Sequence, residues 1–112
     1  MESKEIFKSI NDIPFNYSGL AIVGGIEFHY LNGEIHREDG PAMFCKDEME
    51  CWYLNNEKHC DCGPAFILYN FRKEVVVKEW WLHGQQVTAM EVFDQLTPEQ
   101  QGKVVWEINE WK

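Results

Sequence analysis

The stretch Tyr30-Leu31-Asn32-Gly33-Glu34-Ile35-His36-Arg37-Glu38-Asp39-Gly40-Pro41-Ala42 returns 23 residues downstream as Tyr53-Leu54-Asn55-Asn56-Glu57-Lys58-His59-Cys60-Asp61-Cys62-Gly63-Pro64-Ala65. A third copy opens at Trp81-Leu82-His83-Gly84-Gln85-Gln86 and stops before any Gly-Pro-Ala. Upstream, Gly19-Leu20-Ala21 matches the Gly-Pro-Ala ending, so three units run from about residue 19 to 84. Self-similarity at a short period points to one supersecondary unit stacked on the next, because a single unit buries little by itself.

Each unit reads as an antiparallel hairpin followed by a turn-rich connection. In the first, Leu20–Val23 and Ile26–Tyr30 flank Gly24-Gly25, a two-residue turn signal. Pairing Val23 with Ile26 puts Ala21, Val23, Ile26, Phe28 and Tyr30 on one face. The second unit is expected to align Ala42 with Cys51 around a Lys46-Asp47 turn, which sends Cys45 and Cys51 to opposite faces. The third is expected to align Ala65 with Glu79 around Phe71-Arg72-Lys73, with Ile67, Tyr69, Val75, Val77 and Trp81 sharing a face. Asn32-Gly33 and Asn55-Asn56 tolerate positive φ, and Gly40-Pro41 and Gly63-Pro64 restart an extended chain.

At these residues the chain resembles a MORN-type β-hairpin repeat. The match is to the variant with Trp/Tyr, Asn-Gly, His-Arg and Asp-Gly-Pro-Ala found in tailed phages, large DNA viruses and some bacteria. The resemblance covers about residues 19–86 and implies stacked hairpins without catalytic machinery, followed by a short helical cap. It implies no single function, because such repeats are scaffolds. The chain departs from the pattern where Cys60 and Cys62 replace Arg and Asp, and where Asn56 replaces Gly.

Beyond Gly84 the period changes. Thr88-Ala89-Met90-Glu91 has capping-box spacing and opens a helix with Ala89, Val92, Phe93 and Leu96 along one side. Thr97-Pro98-Glu99-Gln100 repeats the device, with Val104, Val105, Ile108 and Trp111 in one stripe and Trp106 opposite. Ser3–Ile10 reads as a short helix contacting the rest through Ile6, Phe7 and Ile10. The expected fold is mainly β (α+β): three stacked antiparallel hairpins in a meander with a C-terminal helical cap. Residues 1–112 form a single domain, divided into an N-terminal segment (1–18), the repeats (19–86) and the cap (87–112).

The chain has 112 residues, 45% hydrophobic and 14% aromatic, which excludes a disordered polymer. No apolar run reaches membrane-span length and the first ten residues carry charges, so a soluble, cytoplasmic protein is expected. Net charge is −9, of which residues 27–62 hold −6 from nine acids against three bases. Such a chain repels nucleic acid and anionic membrane and attracts basic partners.

His59-Cys60-Asp61-Cys62 gathers soft ligands, but zinc sites favour two to four residues between paired cysteines and here there is one. Packed, reduced thiols are the expected reading, with a zinc site or enzyme at His59, Cys60 and Cys62 as an alternative. The positions of His36, Arg37 and Asp39 recur as a connection motif, and His59 repeats the histidine, so the three are read as satisfying turn carbonyls and one another rather than as an acid–base cluster. No catalytic residue and no cofactor is expected. The candidate partner-binding groups are Glu38, Asp39, Asp47, Glu48, Glu57 and Asp61, which lie in turns and connections, with Trp52, Trp80 and Trp106 as aromatic anchors. The leading expectation is a small acidic protein-binding module. In its most concrete form it is a phage-type inhibitor acting in the host cytoplasm, which occupies the basic or nucleic-acid-binding surface of a bacterial host or defence protein. A structural module that forms homo-oligomers through open strand edges is the other alternative.

Overall fold

The computed structural model describes residues 4–104, with Val104 described by its backbone alone. Its strands are β1 (Lys4–Phe7), β2 (Gly19–Val23), β3 (Ile26–Leu31), β4 (Glu34–Ile35), β5 (Met43–Cys45), β6 (Met49–Cys51), β7 (Tyr53–Leu54), β8 (Glu57–Lys58), β9 (Phe66–Tyr69), β10 (Val75–Leu82) and β11 (Gln85–Val87). Helices α1 (Ala89–Gln95) and α2 (Pro98–Val104) follow. The molecule is mainly β. One mixed sheet runs β1-β2-β3-β5-β6-β9-β10-β11, with β4 also on β3, while β7 and β8 pair separately.

Turn chemistry sets the strand reversals. Gly24 and Gly25 take φ of +58° and +82°, the left-handed pair a two-residue hairpin requires, and Val23 faces Ile26 and Ala21 faces Phe28 across it. The repeated turns do the same: Asn32-Gly33 at +51° and +83°, Asn55-Asn56 at +49° and +67°, and His83-Gly84 at +48° and +80°. Ala21, Phe28 and Tyr17 form one buried cluster, against which Val23, Ile26, Tyr30 and Phe7 pack.

Contacts between successive turns recur position by position. The amide of the first left-handed turn residue donates to a side chain of the chain before it: Asn32 to Ser18 Oγ (2.8 Å), Asn55 to His36 Nδ1 (3.0 Å) and His83 to His59 Nδ1 (2.9 Å). The next amide donates to the carbonyl preceding that side chain: Gly33 to Tyr17, Asn56 to Ile35 and Gly84 to Lys58. Ala21, Ala42 and Ala65 are all fully buried, so no larger side chain enters there without displacing its neighbours. The two histidines thus accept amides, where the sequence suggested that they serve carbonyls.

Four other expectations are corrected. Residues 4–7 are a strand, parallel to the outer edge of β2, and not part of a helix. Too short to sustain a helix alone, the segment instead satisfies edge amides of β2 and sets Phe7 edge-on to Tyr17 at 5.6 Å. In the second hairpin Met43 faces Cys51 and Cys45 faces Met49, because the turn takes three residues, Lys46–Glu48, with Asp47 left-handed. Cys45 and Cys51 therefore share a face. In the third hairpin Tyr69 faces Val75, but an irregularity between Val75 and Val77 shifts the register so that Phe66, not Ala65, faces Glu79. Beyond it the faces exchange. Trp80 is the buried tryptophan, packed with Ala89 and Val92 of α1, and Trp81 is half-buried.

The capping boxes form at both helices. Thr88 and Glu91 exchange bonds, as do Thr97 and Gln100. Ala89, Val92 and Leu96 are buried and Phe93 is half-buried. The expected stripe of Val105, Ile108 and Trp111, together with Trp106, lies outside the described residues, as does the Val104 side chain.

Candidate functional site

Residues 36–42 and 59–65, the two connections, face a common cleft of about 180 Å³. In the first, the Arg37 side chain folds over the backbone. Its Nε donates to Asp39 Oδ1 (2.9 Å), and its Nη1 donates to the Pro41 carbonyl (3.3 Å) and lies 3.1 Å from His29 Nε2. The guanidinium fills the space over Gly40, where an added Cβ would come within 2.9 Å of it. The hydrogen bond and charge of Arg37 hold the Asp39 carboxyl below the usual carboxylate range.

In the second connection Cys60 stands where Arg37 stood. A Cβ at Gly63 would meet nothing within 4 Å, so the volume over this glycine is open. Cys60 is buried and Cys62 exposed, with Sγ atoms 3.8 Å apart. Trp52, Leu54, Glu38 and Asp61 also line the cleft.

The chain's four thiols differ. Cys45 donates to Glu48 Oε2 (2.7 Å), and that bond pushes its thiol up. Burial pushes Cys51 up. Between the other two, the hydrogen bond with Cys62 raises Cys60, and burial adds to it; the same bond lowers Cys62, the thiol that water reaches. His59 is held below the usual imidazole value, first by burial and then by the ring of His83, 4.2 Å away between centroids. Because its Nδ1 accepts the His83 amide, the neutral ring carries its proton on Nε2 and keeps no lone pair for a metal. Among the described residues no three His, Cys, Asp or Glu side chains are grouped to hold a metal ion.

All six candidate acids are exposed, but they do not form one patch. Glu38 and Asp61 meet Trp52 at the cleft. Asp39 is paired with Arg37, and Asp47 lies 3.4 Å from Lys73. Asp47 and Glu48 line a separate depression with Tyr69 and Phe71 at the hairpin tips. Glu57 lies against Gly84. Trp80, packed against Ala89 and Val92, lines a separate depression with Lys78, Gln86 and Met90 and does not join Trp52 at the cleft.

Sequence reasoning missed Arg37 and Leu54 as cleft residues and Phe71, 90% exposed, at a hairpin tip. It also missed Lys58, whose Nζ lies 4.7 Å from the Trp81 ring centroid and 5.2 Å from that of Phe66. Aligning the copies could have found Lys58, since it holds the position of Ile35, whose carbonyl meets the following turn. Among the described residues no helix is long and apolar enough to cross a membrane. No family model matches the chain, and no curated protein or solved structure matches it either.

Proposed function

We propose that this chain is a non-enzymatic protein-binding module, a meander of three stacked MORN-like hairpin repeats closed by a helical cap, which captures a basic protein at the cleft between its connections. One observation carries the reading. Glu38 and Asp61 hold the same position in successive copies, both are exposed, and both stand on a cleft walled by Trp52 and Leu54. Paired carboxylates on an aromatic-walled cleft suit an Arg or Lys side chain, and the −6 carried by residues 27–62 would speed its approach. The resemblance to phage repeats makes a bacterial host or defence protein, blocked in the host cytoplasm at a basic or nucleic-acid-binding surface, the concrete partner.

The test is capture from bacterial lysate by the parent chain and by a Glu38→Lys/Asp61→Lys variant, followed by direct titration of the purified captured protein at low and high salt. The reading expects affinity that falls with salt and drops at least tenfold in the variant, about 1.4 kcal/mol. Equal binding by parent and variant at both salts would sink it. A second reading, self-association, draws on β1, which ends the sheet with Ile6 81% exposed. Sedimentation showing concentration-dependent oligomers that Ile6→Lys abolishes would favour it instead.

A further inference from the structure

We infer that Cys60 and Cys62 form a reversible redox site, a vicinal dithiol that a peroxide converts into an intramolecular disulfide at the mouth of the cleft. This does not rest on the binding reading. Three structural features carry it. The two sulfur atoms lie 3.8 Å apart, close enough that a modest backbone adjustment brings them to bonding distance. They differ in access: Cys62 is exposed and Cys60 is buried behind it, the arrangement of an attacking thiol with a resolving one. And the space over Gly63 is open, so the segment can re-form without displacing a packed side chain.

The chain carries its own contrast. Cys45 is half-buried, yet its hydrogen is engaged by a carboxylate at 2.7 Å, which keeps it a thiol and places negative charge beside it. Cys51 is 2% exposed and beyond the reach of an oxidant. Of the four, only Cys62 combines access with a sulfur partner that stabilises the thiolate.

The step balances with hydrogen peroxide as the oxidant. The Cys62 thiolate attacks one peroxide oxygen, the O–O bond breaks, and a sulfenic acid and hydroxide form. The Cys60 sulfur then attacks the Cys62 sulfur, an S–S bond replaces the S–O bond, and the sulfenic oxygen leaves as water with the Cys60 proton. Two thiols lose two electrons and the peroxide gains them. An external dithiol reverses the change by exchange.

The experiment treats the full chain with stoichiometric hydrogen peroxide and maps peptides before and after dithiothreitol. A parallel series measures iodoacetamide alkylation of each cysteine at pH 7. The inference expects loss of about two mass units in the peptide spanning Cys60 and Cys62, restored by dithiothreitol, and alkylation of Cys62 roughly tenfold faster than Cys45. Cys60→Ser should leave the Cys62 sulfenic acid unresolved and trappable by dimedone, while Cys45→Ser should change nothing. Alkylation of Cys62 no faster than Cys45, over-oxidation of Cys62 in the parent without a bridge, or bridges only between chains would each overturn it. Because the mapping uses the parent chain, the result does not depend on a variant's folding.

Discussion

The connections at residues 36–42 and 59–65 share a histidine, a Gly-Pro-Ala ending and the same backbone bonds, yet treat the space over their glycine in opposite ways. In the first, Arg37 covers Gly40 and is held by Asp39 and the Pro41 carbonyl. In the second, two cysteines leave Gly63 uncovered and a cleft opens. The shared residues do structural work: His36 and His59 receive the next turn's amide, and Ala42 and Ala65 are fully buried. The differing residues are where the proposed binding and redox chemistry would have room. In a repeat built on one backbone, function is to be sought at positions where one copy abandons the common residue.

The largest test of that division uses the paired turns. At Gly33, with φ of +83°, an added Cβ would run into the Phe15 carbonyl oxygen. The equivalent Asn56 sits at φ +67°, where its Oδ1 accepts the Ile35 amide and its own amide donates to the Ile35 carbonyl. Gly33→Ala should therefore cost about 2–4 kcal/mol, from left-handed strain and a backbone collision. Asn56→Gly should cost about 1 kcal/mol or less, one exposed hydrogen bond set against relief at φ. Urea midpoints at unchanged m measure both. Equal losses would mean that the two turns are interchangeable.

The first hairpin was legible in the sequence because its turn is local chemistry: Gly24-Gly25 fixes both reversal and register. The capping boxes at Thr88 and Thr97 were legible for the same reason. The registers of the second and third hairpins were not, although the Tyr69–Val75 pair beside the Phe71-Arg72-Lys73 turn falls where the sequence implied it. Their loops place Asp47 and Lys73 in the left-handed region, which neither residue advertises, and the irregularity at Val76 leaves no trace in composition. One residue of slip exchanges every side chain between faces, so Trp80 and Trp81 traded roles. Ile6, Phe7 and Ile10 fit a helical spacing, and what makes residues 4–7 a strand is the distant edge of β2. At the candidate site, exposure of the acids followed from their place in turns. That Glu38, Asp61 and Trp52 converge depends on how the copies stack, which no local pattern encodes.

A middle-sized effect separates the copies by pH. His59 gives up its proton more readily than a free imidazole because it is buried and faces His83. The unfolded chain binds that proton near ~6.5, so the stability His59 contributes is present above that value and is lost as pH falls through its lower native pKa. Protonation also sets a proton on Nδ1 against the His83 amide. The loss should be about 1 kcal/mol. His83→Asn gives the third turn the residue of the first two, Asn32 and Asn55, and removes the facing ring. It should shift the His59 titration upward and soften the acid loss, as read by urea midpoints from pH 7.5 to 5 and by imidazole NMR. An unchanged His59 titration would show that the rings do not interact.

The smallest effect is the most direct conversion of one copy into the other. Cys60→Arg with Cys62→Asp writes the Arg-x-Asp of the first connection into the second. The space over Gly63 can accept the guanidinium, and the new pair would lie near the surface, so stability should move within about 0.5 kcal/mol. The informative readout is titration. Arg37 already lowers the Asp39 carboxyl, and the carboxyl introduced at position 62 should likewise titrate below the ordinary ~3.9. At the same time the cleft should close: capture of a basic partner should weaken and the peroxide-induced bridge must vanish. A variant that titrates normally at position 62 and still binds would show that the residues exchanged between the copies do not shape the cleft, and that the partner meets the protein elsewhere.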